Sequence, residues 1–384
     1  MMEKMRMNHW KLLVIGMFLI ISITGCWGNI DLADIAIVSA IGFDKTEDGN
    51  YVSSAQFIIP KAFRLNGGGG DGEKTFGVVS RTGKSFNINF HTMYSEIPSK
   101  RFSATFGVYV IGEKLARDGM GSFLDISQRR LESRFRSVIL IAKGTTAQDI
   151  LETKTLLTDN PSVQLIGSPQ VNSLSVKKML IDLIKDMENE GKEAVVGVVE
   201  KKGDRLITQG AAVFKNEKLA GWLNRSETRG FLFASDKVTN IGFLIRNPLD
   251  PGNNVTIFVN NSKSRLDMKW KDQKPSFIIH VKAETTISEE SGFFDFSKKA
   301  NIDKIISASN REIKKEIQRT ISLAHQKYHC DIFGFGELTE KYHPKFWKKV
   351  KKHWDGEIGK IPVQISVQSK LVGTGLIENS LKLR

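Results

Sequence analysis

Two runs rich in β-branched and aromatic residues open the patterned part of the chain, Ile35 to Phe43 and Tyr51 to Ile59. The polar stretch Asp44-Lys45-Thr46-Glu47-Asp48-Gly49-Asn50 between them predicts a hairpin. Gly67 to Gly70 with Asp71-Gly72 reads as a loop tip. Strands are predicted at Thr75 to Arg81, Phe106 to Ile111 and Val138 to Ala142, with a short helix at Phe86 to Tyr94. Leu115, Met120, Phe123, Leu124 and Leu131 give 113–131 a helical period. Leu174, Met179, Leu180, Leu183, Ile184 and Met187 give 174–187 another. Gln209 to Phe214 and Lys218 to Leu223 form a second hairpin across Lys215-Asn216-Glu217. The most extended pattern is Ile302, Ile305, Ile306, Ile313, Ile317, Ile321, Ala324 and Tyr328, which predicts one amphipathic helix over 301–329 packed on a sheet. Val255 to Val259, Ser276 to Thr285 and Pro362 to Val372 supply strands for that sheet. Strands mixed with amphipathic helices argue an α+β, multidomain protein.

Punctuation sets the borders. The charged stretch Glu188 to Glu193 and the breaker Asn247-Pro248-Leu249-Asp250-Pro251-Gly252 divide the chain into an N-terminal α+β domain, 26–190, a middle region with a hairpin, 191–250, and a C-terminal α+β domain, 251–384. Residues 1–25 read as an export signal. Lys4, Arg6 and Lys11 precede an apolar run from Leu12 to Ile23, shorter than the ~20 residues a helix needs to span a bilayer. The run ends in Ile23-Thr24-Gly25-Cys26, similar to a bacterial lipobox in which Cys26 becomes the lipid-bearing first residue. Such an anchor places the body outside the cytoplasmic membrane and leaves Cys330 without an intramolecular partner, as a small buried residue.

The chain has 384 residues and a formal charge of +14. Removing 1–25 takes away Lys4, Arg6, Lys11 and Glu3, so most of the charge stays on the body. Export makes nucleic acid an unsuitable partner; an anionic membrane or an acidic protein suits the charge. The sharpest cluster is Lys341-Tyr342-His343-Pro344-Lys345-Phe346-Trp347-Lys348-Lys349-Val350-Lys351-Lys352-His353-Trp354. A helix starting at Pro344 puts Trp347, Val350 and Trp354 inward and Lys345, Lys348, Lys349 and Lys352 mostly outward.

Catalytic and cofactor motifs are lacking. Gly67 to Thr75 and Gly77 to Ser85 approach a phosphate-binding loop but miss its spacing. His325, His329 and Cys330, with His343 and His353 downstream, lack the paired spacing of a metal site. No Gly-x-Ser-x-Gly or His-Glu-x-x-His occurs. No cofactor, metal or catalytic residue is therefore assigned.

Four stretches together carry a resemblance. They are Gly25-Cys26-Trp27 with Ile35 to Lys45; Val110-Ile111-Gly112-Glu113-Lys114-Leu115-Ala116-Arg117-Asp118-Gly119; Gly210 to Leu223 with Glu227-Thr228-Arg229-Gly230; and Cys330-Asp331-Ile332-Phe333-Gly334-Phe335-Gly336-Glu337 with Tyr342-His343-Pro344 and Trp347. In this order they resemble the Ger(x)C lipoproteins, the C-subunits of bacterial spore germinant receptors. The resemblance implies a three-domain α+β fold and a lipid-anchored subunit on the outer face of the spore inner membrane. It implies a role in nutrient-triggered germination beside an A-type and a polytopic B-type subunit, with no catalytic activity. Gly221, Trp222, Lys345, Lys348, Lys349 and Lys352 are the candidate partner-binding residues, and Cys26 the lipid attachment site. The competing readings are an exported solute-binding lipoprotein, which needs a cleft with convergent polar groups, and an envelope hydrolase, which needs a coupled nucleophile and base.

Overall fold

The computed structural model describes residues 35–58, 76–96, 101–129, 134–155, 160–171, 174–290 and 298–373. The leader, Cys26, Trp27 and the Gly67–Gly72 loop lie outside the described residues. Two sheets organise the chain. The first is built from β1 (Ile35–Lys45), β2 (Tyr51–Ile58), β3 (Phe76–Gly83), β4 (Arg101–Ile111), β5 (Val138–Ala142), β6 (Lys178–Met179), β7 (Val195–Lys202), β8 (Arg205–Lys215) and β9 (Lys218–Leu223). Their order is β3-β2-β1-β4-β5-β7-β8-β9, with β6 pairing β5 off that path. The middle pairs β1–β4, β4–β5 and β5–β7 are parallel, and the flanks are antiparallel hairpins.

Parallel centres are covered on both faces, and the residue pattern shows why this one is. Tyr109, Ile111, Ile139 and Ile141 bury on one side with Phe43, Phe86, Phe90 and Phe123. Their alternates Val108, Val110, Val138 and Leu140 bury on the other with Ile150, Leu151 and Leu165. The covering helices are α1 (Phe86–Tyr94), α2 (Glu113–Asp118), α3 (Gly121–Arg129), α4 (Ala147–Glu152), α5 (Pro161–Val171) and α6 (Leu180–Glu188).

The helical period of 113–131 is interrupted. Gly119 takes φ +130, and Met120 donates its N–H to Glu217 of the β8–β9 turn, so two short helices replace one. Only 180–188 of the second predicted stretch is helical; Lys178 and Met179 before it pair with β5 as β6. The hairpin at 209–223 belongs to β8 and β9, at one edge of the first sheet.

The second sheet runs β10 (Thr239–Arg246), β11 (Asn254–Lys271), β12 (Lys274–Glu290), β13 (Val363–Gly373), antiparallel except that β12 and β13 are parallel. Alternate residues Val255, Ile257, Val259, Phe277, Ile279 and Val281 are buried. They join one core with Ile305, Ile313, Ile317 and Ile321 of α8 (Lys299–Ser322), the predicted long helix, and with Phe231 and Leu232 of α7 (Arg225–Ala234). The helix does not run regularly to 329. Residues 323–328 widen into a π-turn, which closes with His329 at φ +51 and Cys330 N–H donating to Ala324 O. Short helices α9 (Phe335–Tyr342), α10 (Pro344–Val350) and α11 (Trp354–Glu357) follow. The architecture is a multidomain α+β one with two sheets and a long C-terminal helix. Among the described residues, no helix is long and apolar enough to cross a membrane.

Candidate functional site

The seam between the two sheets gathers two of the four stretches that carry the family resemblance. It is tied first by Asp331, just past the π-turn. Its Oδ1 accepts from the N–H groups of Gly334 at 2.9 Å and Phe335 at 3.1 Å. Its Oδ2 accepts from Gly336 N–H at 2.7 Å and from the Trp354 indole N–H at 2.9 Å. One carboxylate thus closes the loop before α9, supplies donors at that helix's start with a partner, and pins α11. Burial pushes its pKa up, against these donors, which favour the ionised form. The same loop holds the N-terminal unit: Glu193 N–H donates to Asp331 O at 2.7 Å, and Glu337 N–H to Gly191 O at 3.0 Å. Lys215 pairs with Asp355 at 2.8 Å, and Lys351 with Glu190 at 2.6 Å. Glu193 sits among these charges, and burial pushes its carboxyl up to about 7.

Gly221 lies on the same seam. A Cβ there would lie 2.3 Å from the Tyr328 ring, so only glycine admits the tyrosine. Tyr328 in turn donates its hydroxyl to Trp222 O at 2.9 Å and accepts from Trp222 N–H at 3.2 Å. The π-turn is the device that brings Tyr328 against β9. The Trp222 side chain points back to the first unit, with the Lys143 ammonium 5.6 Å and the Arg117 guanidinium 6.0 Å from its ring centre. It remains partly exposed.

The Glu227-Thr228-Arg229-Gly230 stretch docks α7 on α8. Arg229 Nε donates to Glu316 Oε2 at 2.6 Å, and a second Arg229–Glu316 contact completes a two-pronged pair. A Cβ at Gly230 would come within 2.5 Å of Glu316 O, so the helices touch backbone to backbone there. Thr320 donates to Glu227 O at 2.8 Å across the same contact. In the N-terminal unit, Asp44 does comparable work: its carboxylate accepts from Ala147 and Gln148 N–H at 2.7 and 3.0 Å, starting α4. Burial pushes it up to about 6.

A groove of about 880 Å³ opens beside α7, lined by Gln209, Asn224, Arg229, Asn240, Leu244 and Phe258 among others. Two of its polar groups are committed elsewhere. Asn224 caps α7, accepting from Glu227 N–H, and Arg229 is paired with Glu316.

Among the described residues, no three His, Cys, Asp or Glu side chains are placed to hold a metal. Cys330 is buried, and burial pushes its thiol up to about 12, unsuited to a nucleophile. His325 is also buried, among Phe333 and Phe335, and burial pulls it down to about 4. An unfolded imidazole takes its proton near 6.5. A depressed folded pKa means stability present above about 6.5 and lost as pH falls toward 4. His325→Phe is expected to remove this term. The stability difference between the variant and the parent, measured by urea unfolding at pH 7.5 and pH 4.5, should shift in the variant's favour by about 2 kcal/mol on acidification. A difference independent of pH would refute the assignment.

The basic segment keeps the inward and outward split its pattern predicts, but not as one helix: α10 ends at Val350 and a 3₁₀ turn over 351–353 precedes α11. Trp347 and Trp354 are buried with ring centres 5.1 Å apart, and Lys345, Lys348, Lys349 and Lys352 are exposed. The sequence reading missed three features. One is the Asp331–Trp354 bond, whose partners stand 23 residues apart. Another is the Arg229–Glu316 pair, since nothing in a charged amphipathic helix marks which glutamate turns inward. The last is Trp270 stacked on His343, at 3.8 Å between ring centres; a lone tryptophan among lysines on a strand was the available signal.

Comparison with known proteins agrees with this geometry. Residues 28–201 match the family described as the spore germination protein N-terminal domain, and residues 209–375 the one described as spore germination B3/GerAC like, C-terminal. The spore germination protein KC of Bacillus subtilis (strain 168) is 28 % identical over 97 % of this chain and 97 % of its own. The spore germination protein B3 of the same organism is 21 % identical over 94 % and 96 %. The crystal structure of the GerBC protein superposes with a TM-score of 0.58 at 18 % identity, covering 86 % of this chain and 96 % of that one, and so shares the fold. With both halves matched in order, the chain belongs to the GerAC-like family of spore germination proteins.

Proposed function

We propose that this chain is the non-enzymatic, lipid-anchored C-subunit of a spore germinant receptor. Cys26 carries the lipid and holds the body on the outer face of the spore inner membrane. There it works beside A-type and B-type subunits and biases a membrane partner between two states through differential contact. The observation that carries this reading is the match of both halves of the chain, in order, to spore germination families. The buried, high-pKa Cys330 favours it over hydrolysis. Trp222, with Arg117 and Lys143 around its ring, is the candidate partner contact on the first unit, and Gly221 serves it by admitting Tyr328 behind the strand.

The test is dipicolinate release from spores lacking the chain, after nutrients and after a receptor-independent trigger. Loss of one nutrient response with the other trigger intact is expected. Complementation with Cys26→Ala should leave the protein unanchored and that response impaired. Normal membrane retention of the variant would overturn the anchor. Unchanged nutrient germination, with sister receptors also deleted, would overturn the receptor role.

A further inference from the structure

Two segments distant in sequence meet at one end of the second sheet. The β11–β12 hairpin turns through Asp272 and Gln273, both at positive φ, and presents Lys269, Trp270 and Lys271 at its tip. From the other side, α9 ends in Tyr342 and α10 presents Lys345, Phe346 and Lys349. The Trp270 ring stacks on His343 at 11° and meets Phe346 edge-on at 5.1 Å. Trp270 is thus held in place without being covered, at 36 % exposed, and Tyr342, next to His343 in the chain, is 58 % exposed. Lys345 and Lys349 are one helical turn apart and flank Phe346. Lys351 of this segment pairs with Glu190, whereas among the described residues no ion pair reaches Lys269, Lys271, Lys345 or Lys349. Of the acids in these two segments, Asp355 and Glu357 are engaged with Lys215 and Lys360, and Asp272 stands in the turn beside Lys271.

Core packing accounts for Trp347 and Trp354. It does not account for a tryptophan fixed at the surface, with an exposed tyrosine close by in the same segment pair, amid lysines without ion pairs. That combination suits the headgroup layer of a bilayer, where amphipathic rings lie among the carbonyl and phosphate groups and ammonium groups meet anionic lipid. These residues also lie outside the two described grooves, on a projecting hairpin end and helix face rather than in a recess fitted to a peptide. The geometry points to a membrane-facing patch, Trp270, Tyr342, Lys269, Lys271, Lys345 and Lys349, that rests on anionic lipid headgroups and orients the C-terminal unit on the membrane. This deepens the anchored-subunit reading, which brings the body to the bilayer through Cys26.

The experiment uses the full chain reconstituted with vesicles of phosphatidylcholine alone or with about one third phosphatidylglycerol, each with headgroup-proximal brominated lipid. Flotation reports attachment, and quenching of tryptophan emission reports contact. The expected result is a quenched component in anionic vesicles that is absent in Trp270→Phe, absent on pure phosphatidylcholine and removed by 0.5 M salt. Lys345→Glu with Lys349→Glu should lower the contacted-to-free ratio at least fivefold per lysine. Both sites are exposed, and an unchanged near-UV circular dichroism spectrum checks the fold. Quenching indifferent to Trp270→Phe, or equal on neutral vesicles, overturns the proposal. So does a Trp270 signal that answers soluble polyglutamate but no vesicle, which would mark an acidic protein surface as the occupant. Failure of the wild type to float with neutral vesicles counts against the Cys26 anchor instead; flotation with anionic vesicles alone, lost in the lysine variant, would still support the patch.

Discussion

Asp331→Ala should lower the unfolding free energy of the C-terminal unit by about 3–5 kcal/mol, the largest effect expected of any single truncation in the seam. The residue is 2 % exposed, so water does not readily replace it. Its loss leaves the N–H groups of Gly334, Phe335 and Gly336 and the Trp354 indole without their acceptor. An orphaned buried donor costs about 1–3 kcal/mol, and four around one small cavity do not add in full. Asp331→Asn should fall between. Its amide oxygen can still accept, but its NH₂ then faces N–H groups that also donate. Urea unfolding followed by tryptophan emission measures this, because Trp347 and Trp354 lie within the affected region. An Ala variant within 1 kcal/mol of the parent would refute the cradle. A sequence of effects is also expected: the Asp331 loop carries Glu193 N–H and the 191–337 contact, so seam contacts should loosen before the first sheet does.

The legible part of the fold was the part carried by period. The central strands of the first sheet follow from short continuous apolar runs, and β11 and β12 from apolar residues at two-residue spacing. The 299–322 helix follows from isoleucines at three- and four-residue steps. What stayed hidden was decided by partners far away. Residues 113–131 keep a helical period, yet Glu217, about a hundred positions on, accepts from Met120 N–H where the helix breaks at Gly119. The π-turn at 323–328 has no local signature; it places Tyr328 on Trp222 and depends on Gly221 leaving room. The inward tryptophans of the basic segment could be read from Pro344 and helical spacing. Trp270 could not be joined to His343, because a strand tip and a helix start share no pattern. The family-bearing stretches were visible as words, but only the structure shows that Asp331 and Gly221 join the two sheets and that Arg229 ties α7 to α8. None of them forms a catalytic centre.

Glu316→Ala is the second large effect, expected to cost about 3–5 kcal/mol for a different reason. Glu316 is 4 % exposed, and its partner Arg229 is nearly as enclosed, packed over Phe243 with its centre 5.3 Å from the ring. Burial pushes the carboxyl up and the guanidinium pulls it back, so the pair survives as mutual compensation. Removing one member strands the other. Arg229 would keep Gly242 O at 3.3 Å and the Phe243 face, too little for a charge held from water. The diagnostic is the paired replacement. Arg229→Met with Glu316→Leu removes both charges and fills similar volume, and should regain most of the lost stability. If the double variant is as unstable as Glu316→Ala, the cost lies in α7–α8 packing at Gly230 rather than in the stranded charge. In spores the same two variants separate stability from signalling. Glu316→Ala should lower the amount of subunit and with it the nutrient response, while the double variant restores both. A double variant present at normal level yet silent to nutrient would show that the charged pair itself takes part in the receptor's switching.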